Sequence, residues 1–211
     1  MELKFDSNLN YQTDAVKSVT DLFAGQSVSA SYFALSGQTS FDHYYFDKEN
    51  NQYFKNEKVF GQGIGNRLTI SKQNILENLR KVQLLHKLPL SLSLENLDFC
   101  IEMETGTGKT YVYLKTIFEL NKLYGFTKFI IVVPSVAIKE GVYKTLQITK
   151  EHFNELYEGV VYDYFVYDSS KLEQVRNFAE SSSIEIMIIN IDAFNKSFTN
   201  PDEEKKANII H

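Results

Sequence analysis

One short stretch constrains this chain more than any other. Gly106-Thr-Gly108-Lys109-Thr110 sits between an apolar run over 98–103 and a helix-periodic segment over 109–123. Glycine reaches backbone angles closed to other residues, so consecutive N–H groups in such a loop can curl around an anion. Lys109 then meets the terminal phosphates of a nucleotide, and the Thr110 hydroxyl suits a magnesium ion. The helix that follows turns the positive end of its dipole toward the same anion. A loop of this kind needs a strand before it and a helix after it. The sequence therefore predicts an α/β fold with a strand over 98–103, a helix over 109–123, and Thr105, Gly106, Thr107 and Gly108 lining the phosphate cradle.

Composition bounds what surrounds the loop. A chain of 211 residues that is 43% hydrophobic builds one compact domain, with room for an appendage. Its single cysteine, Cys100, excludes an internal disulfide and fits a reducing, cytoplasmic setting. No apolar stretch reaches the length of a membrane span, and the amino terminus does not read as a signal peptide. A formal net charge of −5 without a basic run removes any global pull toward nucleic acid. Contact with DNA must then be local, and this stretch alone should bind it weakly.

In chain order, Ala15, Val16, Val19, Leu22 and Phe23 mark one helical face that ends at Gly25, with Thr13 or Asp14 as its expected cap. Gln12 lies at its start. A carboxamide offers the donor and acceptor that pair with N6 and N7 of adenine, although a glutamine there is more often a solvated surface residue. Between 27 and 67 the pattern turns aromatic and polar and predicts a hairpin or small sheet around the turn at 47–51. Gly61 to Gly65 reads as a flexible turn. Ser71 caps an expected helix to about residue 86.

Past the phosphate loop, 128–134 and 184–190 are runs of apolar β formers, expected as strands buried on both faces of a parallel sheet. A third strand is expected over 160–167. Ser135 is placed to cap a helix to about residue 148, and Ser170 with Glu173 forms a capping-box pattern before another helix. Alternating strands and helices predict a doubly wound parallel sheet, with the loops after 103, 134 and 190 on one edge.

Taken together, Tyr11-Gln12, the stretch 103–110, Pro134-Ser135 after its apolar strand, and 188–195 resemble the start of the Res subunit of type III restriction enzymes. These are helicase-like ATPases of superfamily 2 that act on double-stranded DNA with a modification methyltransferase subunit. The resemblance implies a first RecA-like motor domain: an entry helix over 1–26, an aromatic β insertion over 27–97, and a core over 98–211. It implies ATP and magnesium as ligands, with Gln12 reading adenine, Lys109 on phosphate and Thr110 on the metal. It also implies that Pro134, Ser135 and Asn190 lie near the DNA backbone.

A hydrolysing motor further needs a magnesium-binding Asp followed by a Glu that orients water. Asp192 follows an apolar strand but precedes Ala193, and Asp202-Glu203 sits in a polar stretch. The resemblance places the acidic motif just past residue 211, which implies an amino-terminal fragment that binds ATP without turning it over. Three other readings share the loop: another superfamily 2 helicase or repair ATPase, a non-hydrolysing nucleotide-binding module, and a P-loop kinase.

Overall fold

The alternation in the carboxyl-terminal half becomes a three-stranded parallel sheet flanked by helices in the computed structural model, which describes residues 6–28, 31–34, 43–47, 52–56 and 62–195. In chain order, α1 (Asn10–Thr20) continues into a 3-10 turn, Asp21–Phe23. Four short strands follow: β1 (Ser31–Ala34), β2 (His43–Asp47), β3 (Gln52–Asn56) and β4 (Gln62–Gly65). Then come α2 (Lys72–Leu85), α3 (Lys109–Tyr124), β5 (Lys128–Val133), α4 (Val136–Ile148) and α5 (Lys150–Leu156). The chain continues through β6 (Tyr162–Val166), α6 (Leu172–Glu180), β7 (Ile184–Asn190) and α7 (Asp192–Asn195).

The parallel sheet runs β5-β7-β6, so β7 is central although it comes last in sequence. That place explains its composition. Residues 184–189 are all buried, because a central strand between helical layers offers no face to water. Ile184, Ile186 and Ile188 point into the main core with Leu114 and Phe118 of α3, Leu146 of α4 and Phe153 of α5. Phe118 is the hub of that core, with ring centroids 4.7 Å from Phe153 and 5.0 Å from Tyr162. On the other face, α6 sets Phe178 edge-on to Phe165 of β6 and buries Ala179.

The expected strand at 128–134 is found, but it is buried on one face only. Phe129, Ile131 and Val133 belong to or pack on the core, whereas Ile130 and Val132 are half-exposed. At the start of this edge strand Lys128 sits over the Phe178 ring of α6, at 5.7 Å from its centroid, while Ile130 and Val132 further along keep that face open.

Local expectations met mixed outcomes. Ser71 and Ser135 do cap their helices, accepting from the N–H groups of Asn74 and Ile138. The aromatic insertion holds two antiparallel pairs, β1 with β4 and β2 with β3; the turn expected at 47–51 lies, past Asp47, outside the described residues. The flexible turn expected over 61–65 is instead mostly strand: β4 pairs with β1, whose backbone supplies the ladder that glycine content alone argues against. The run at 98–103 joins no strand ladder in the described structure; Phe99 and Ile101 are exposed, so its apolar pattern lacks the neighbour that would make it a strand.

Neither Thr13 nor Asp14 caps α1. The helix starts earlier, with Leu9 at the N-cap position. Ser170 does not cap α6 either, because its hydroxyl donates to Asp168 at 2.7 Å and Lys171 takes the cap position. The helix α5 carries no start signal of its own; Thr149 ends α4, is fully buried, and opens α5 at once.

Three amide side chains knit the amino-terminal segments to this frame. Gln26 is buried, accepts from the N–H groups of Thr69 and Ile70, and donates to the Arg67 carbonyl. Asn78 donates to the carbonyls of Leu22 and Ala24. Asn66 accepts from the N–H groups of Thr127 and Lys128 and donates to the Lys128 carbonyl, closing the start of the β5 edge. Each satisfies backbone groups that irregular chain would otherwise leave unpaired.

Candidate nucleotide-binding site

The phosphate loop closes on itself through one carbonyl. Glu104 C=O accepts from the Thr107 hydroxyl at 2.7 Å and from the Lys109 ammonium at 2.6 Å. Gly106 and Gly108 hold φ of 81° and 83°, the left-handed region that a side chain makes costly. Gly108 occupies the N-cap of α3, which has no side-chain cap and no acidic residue in its first turn. The first helical bond runs from Val112 N–H to Gly108 C=O, so the N–H groups of Lys109 and Thr110, at the open start of the helix, have no acceptor within it. Gly106, Gly108 and Lys109 are exposed and Thr110 is half-buried. This donor set fits an anion: helix-start N–H groups at Lys109 and Thr110, an ammonium and a hydroxyl, with no carboxylate in the helix's first turn.

α1 lies against α3 and reaches the loop. Ala15 and Val16 pack on Val112, with Met103 alongside. At the far end Tyr124 donates its hydroxyl proton to the Thr20 carbonyl at 2.9 Å. At the near end Gln12, only 6% exposed, donates from Nε2 to the Thr107 carbonyl at 2.9 Å. Residues 95 apart in sequence thus meet at the loop. The contact is close enough that a Cβ on Gly108 would stand 2.7 Å from Gln12 Nε2.

The remaining expected residues gather at the carboxyl ends of the strands. Parallel register sets Val133 opposite Asn190, so Pro134 and Ser135 leave β5 beside the last residue of β7. Pro134 is exposed, the Ser135 oxygen accepts from Ile138 N–H, and Asn190 donates to the Asp192 carboxylate at 3.3 Å. Tyr111, in the first turn of α3, and Val133, the last residue of β5, belong to one core cluster.

Two contacts near the loop had no sequence signal. The Tyr111 hydroxyl and His152 Nε2 are hydrogen-bonded at 2.8 Å, beneath the first turn of α3. Burial raises the Tyr111 hydroxyl above its ordinary pKa, with Asp6 adding to the rise. Burial lowers His152, opposed by Glu155 and reinforced by Lys115. Lys115 itself is buried and donates to the Ser7 carbonyl at 2.7 Å. A lysine on a helix normally reads as a solvated face. Here α3 is covered by both α1 and the sheet, which leaves it almost no solvated face.

A parallel sheet flanked by helices, with a Gly-Thr-Gly-Lys-Thr loop opening the helix before its edge strand, defines an α/β fold of the P-loop NTPase type. Within that class, the chain belongs to the family described as type III restriction enzyme, res subunit, which matches residues 9–210. It is 35% identical over 152 residues to the Res subunit of the type III restriction-modification enzyme EcoP15I from Escherichia coli, covering 63% of this chain and 16% of that protein. The EcoPI Res subunit of Escherichia phage P1 is 35% identical over 144 residues, 58% of this chain and 15% of that one. The StyLTI Res subunit of Salmonella typhimurium strain LT2 is 32% identical over 125 residues, 51% of this chain and 12% of its own. The matched stretch is thus a small part of each of these relatives.

Proposed function

We propose that these residues form the ATP-binding first part of the DNA-translocating, helicase-like motor of a type III restriction endonuclease, which couples ATP hydrolysis to DNA cleavage with a modification methyltransferase subunit. The observation that carries this reading is the self-closed loop at 103–110 with its uncapped helix start, in a chain of the Res subunit family. Thr105, Gly106, Thr107 and Gly108 cradle the phosphates, and Lys109 leaves the Glu104 carbonyl to reach them. Thr110 would hold magnesium, which when bound offsets the charge of the phosphates. Its hydroxyl interacts with the Tyr113 side chain, which is otherwise raised in pKa by burial.

Gln12 reads adenine in this proposal, and doing so asks its carboxamide to exchange the Thr107 carbonyl for the base edge. Pro134, Ser135 and Asn190 lie along the DNA backbone. The Ser135 oxygen accepts from Ile138 N–H, and its own proton is left to donate to a phosphate. We divide the chain into an entry helix over 1–26, an insertion over 27–97 and a motor core over 98–211. Among the described residues no Asp and Glu are adjacent, and no three acidic, His or Cys side chains group as metal ligands. Asp202-Glu203 lies outside the described residues, and Asp192 is followed by Ala193; in this reading the 211 residues bind ATP without turning it over.

Titrating a fluorescent ATP analogue, then duplex DNA at low salt with and without ATP, tests this reading. The expected result is magnesium-dependent nucleotide binding lost in Lys109→Ala, with weak DNA affinity that responds to ATP. Unchanged nucleotide binding in Lys109→Ala would sink the assignment of the loop. Steady hydrolysis that Lys109→Ala abolishes would instead overturn only the absence of turnover.

A further inference from the structure

Gln12 lies in the first turn of α1, yet α1 does nothing of its own to hold that turn. Leu9 stands at the N-cap, no side chain caps the free N–H groups, and the first turn has no acidic residue. The N–H groups of Gln12 and Thr13 both donate to the Leu9 carbonyl, at 3.1 and 2.9 Å. Whatever fixes the segment around Leu9 therefore fixes Gln12.

Two residues before Leu9, the Ser7 carbonyl accepts the Lys115 ammonium at 2.7 Å. Lys115 is 8% exposed. Holding the ammonium on a neutral carbonyl in this part-buried place gives up some of its hydration, so a lysine left on the surface would cost the fold less. The geometry shows what this one does: it ties the chain just ahead of α1 to the middle of α3, six positions past Lys109 in sequence. One helix thereby holds both the phosphate loop at its start and the strap that seats Gln12 over that loop.

We propose that Lys115 is a positioning residue for base recognition, acting through Ser7 and the first turn of α1 to set the Gln12 carboxamide above Thr107 and Gly108. This deepens the nucleotide-binding reading above and rests on Gln12 being the residue that meets the base. The ligand it discriminates for is a purine nucleoside triphosphate with an adenine-type edge, against the same phosphates without a base.

The test uses the 211-residue chain as Lys115→Met, Lys115→Arg and Gln12→Ala, each first checked for native near-UV circular dichroism. Hydrogen exchange is read at the amides of residues 12 and 13, and affinity is read for ATP and for inorganic tripolyphosphate. A charge-assisted bond lost from the strap should speed exchange at those amides by about tenfold in Lys115→Met. The same variant should weaken ATP by about five- to tenfold and leave tripolyphosphate unchanged, with Lys115→Arg restoring both readouts. Unaltered exchange overturns the strap, whatever Gln12 does. Loosened amides with ATP preference intact, while Gln12→Ala loses it, overturn the transmission to Gln12. Equal weakening of ATP and tripolyphosphate shows that Lys115 only supports the loop. If Gln12→Ala keeps the full preference for ATP, the adenine reading itself fails, and the exchange result still reports separately on the strap.

Discussion

The two glycines of the phosphate loop look alike in sequence, and the structure predicts that they respond differently to one methyl group. Gly106 and Gly108 have nearly the same left-handed φ, 81° and 83°. Alanine at either carries the strain of that region, about 1–2 kcal/mol. At Gly106 the added Cβ meets nothing within 4 Å, so the strain is the whole cost. At Gly108 it stands 2.7 Å from Gln12 Nε2, and the amide must swing away. Gln12 then loses its bond to Thr107 in a buried setting, a further cost of about 1 kcal/mol.

Gly108→Ala should therefore destabilise the chain by about 2–3 kcal/mol against about 1–2 for Gly106→Ala. In a Gln12→Ala background the obstruction is gone, and Gly108→Ala should fall back toward the Gly106→Ala value. Urea unfolding of the four proteins of that cycle, followed by circular dichroism, measures the coupling, expected near 1 kcal/mol. Equal effects at the two glycines, with a coupling inside about 0.3–0.5 kcal/mol, would refute the claim that Gln12 braces the loop.

Three further outcomes follow from the packing and the charges. The folded state holds His152 below its ordinary pKa of 6.5 by burial, so the unfolded chain takes up the proton first and stability is lost as pH falls through and below that value. Urea midpoints between pH 7.5 and 5 should show this decline, and His152→Gln should flatten it. Phe153→Ala removes a fully buried ring that touches Phe118, Tyr111 and Tyr157, and should cost about 3–5 kcal/mol in unfolding free energy. Gln26→Leu leaves the N–H groups of Thr69 and Ile70 without their acceptor, and a loss of about 2–4 kcal/mol, read by thermal unfolding, is expected.

What could be read from residues alone was what local chemistry and periodicity decide. Ser71 and Ser135 precede apolar helical faces, and both cap as serines do when the next N–H groups lie within reach. The β-branched run of β7 needed a place covered on both faces, and it has the central one. The left-handed angles at Gly106 and Gly108 and the helix start at Lys109 were legible because glycine angles and helix starts are local properties; that they cradle an anion is our proposal. Family membership was legible for the same reason, since it is carried by contiguous motifs.

Tertiary structure decided everything that depends on a distant neighbour. Strand identity was one such matter: the apolar run at 98–103 has no ladder here, while glycine-rich β4 has one in β1. The place of β5 at the sheet edge left Ile130 and Val132 half-exposed, and the Ser170 hydroxyl turned to Asp168 rather than to its helix. Gln12 reads in sequence as a solvated helix start with a spare carboxamide, and packing of α1 on α3 buries it against Thr107. Lys115 reads as a solvated charge, and the same packing makes it an internal tether to Ser7. Periodicity reports one buried face per helix. α3 is covered on two sides, and no local pattern announces the second.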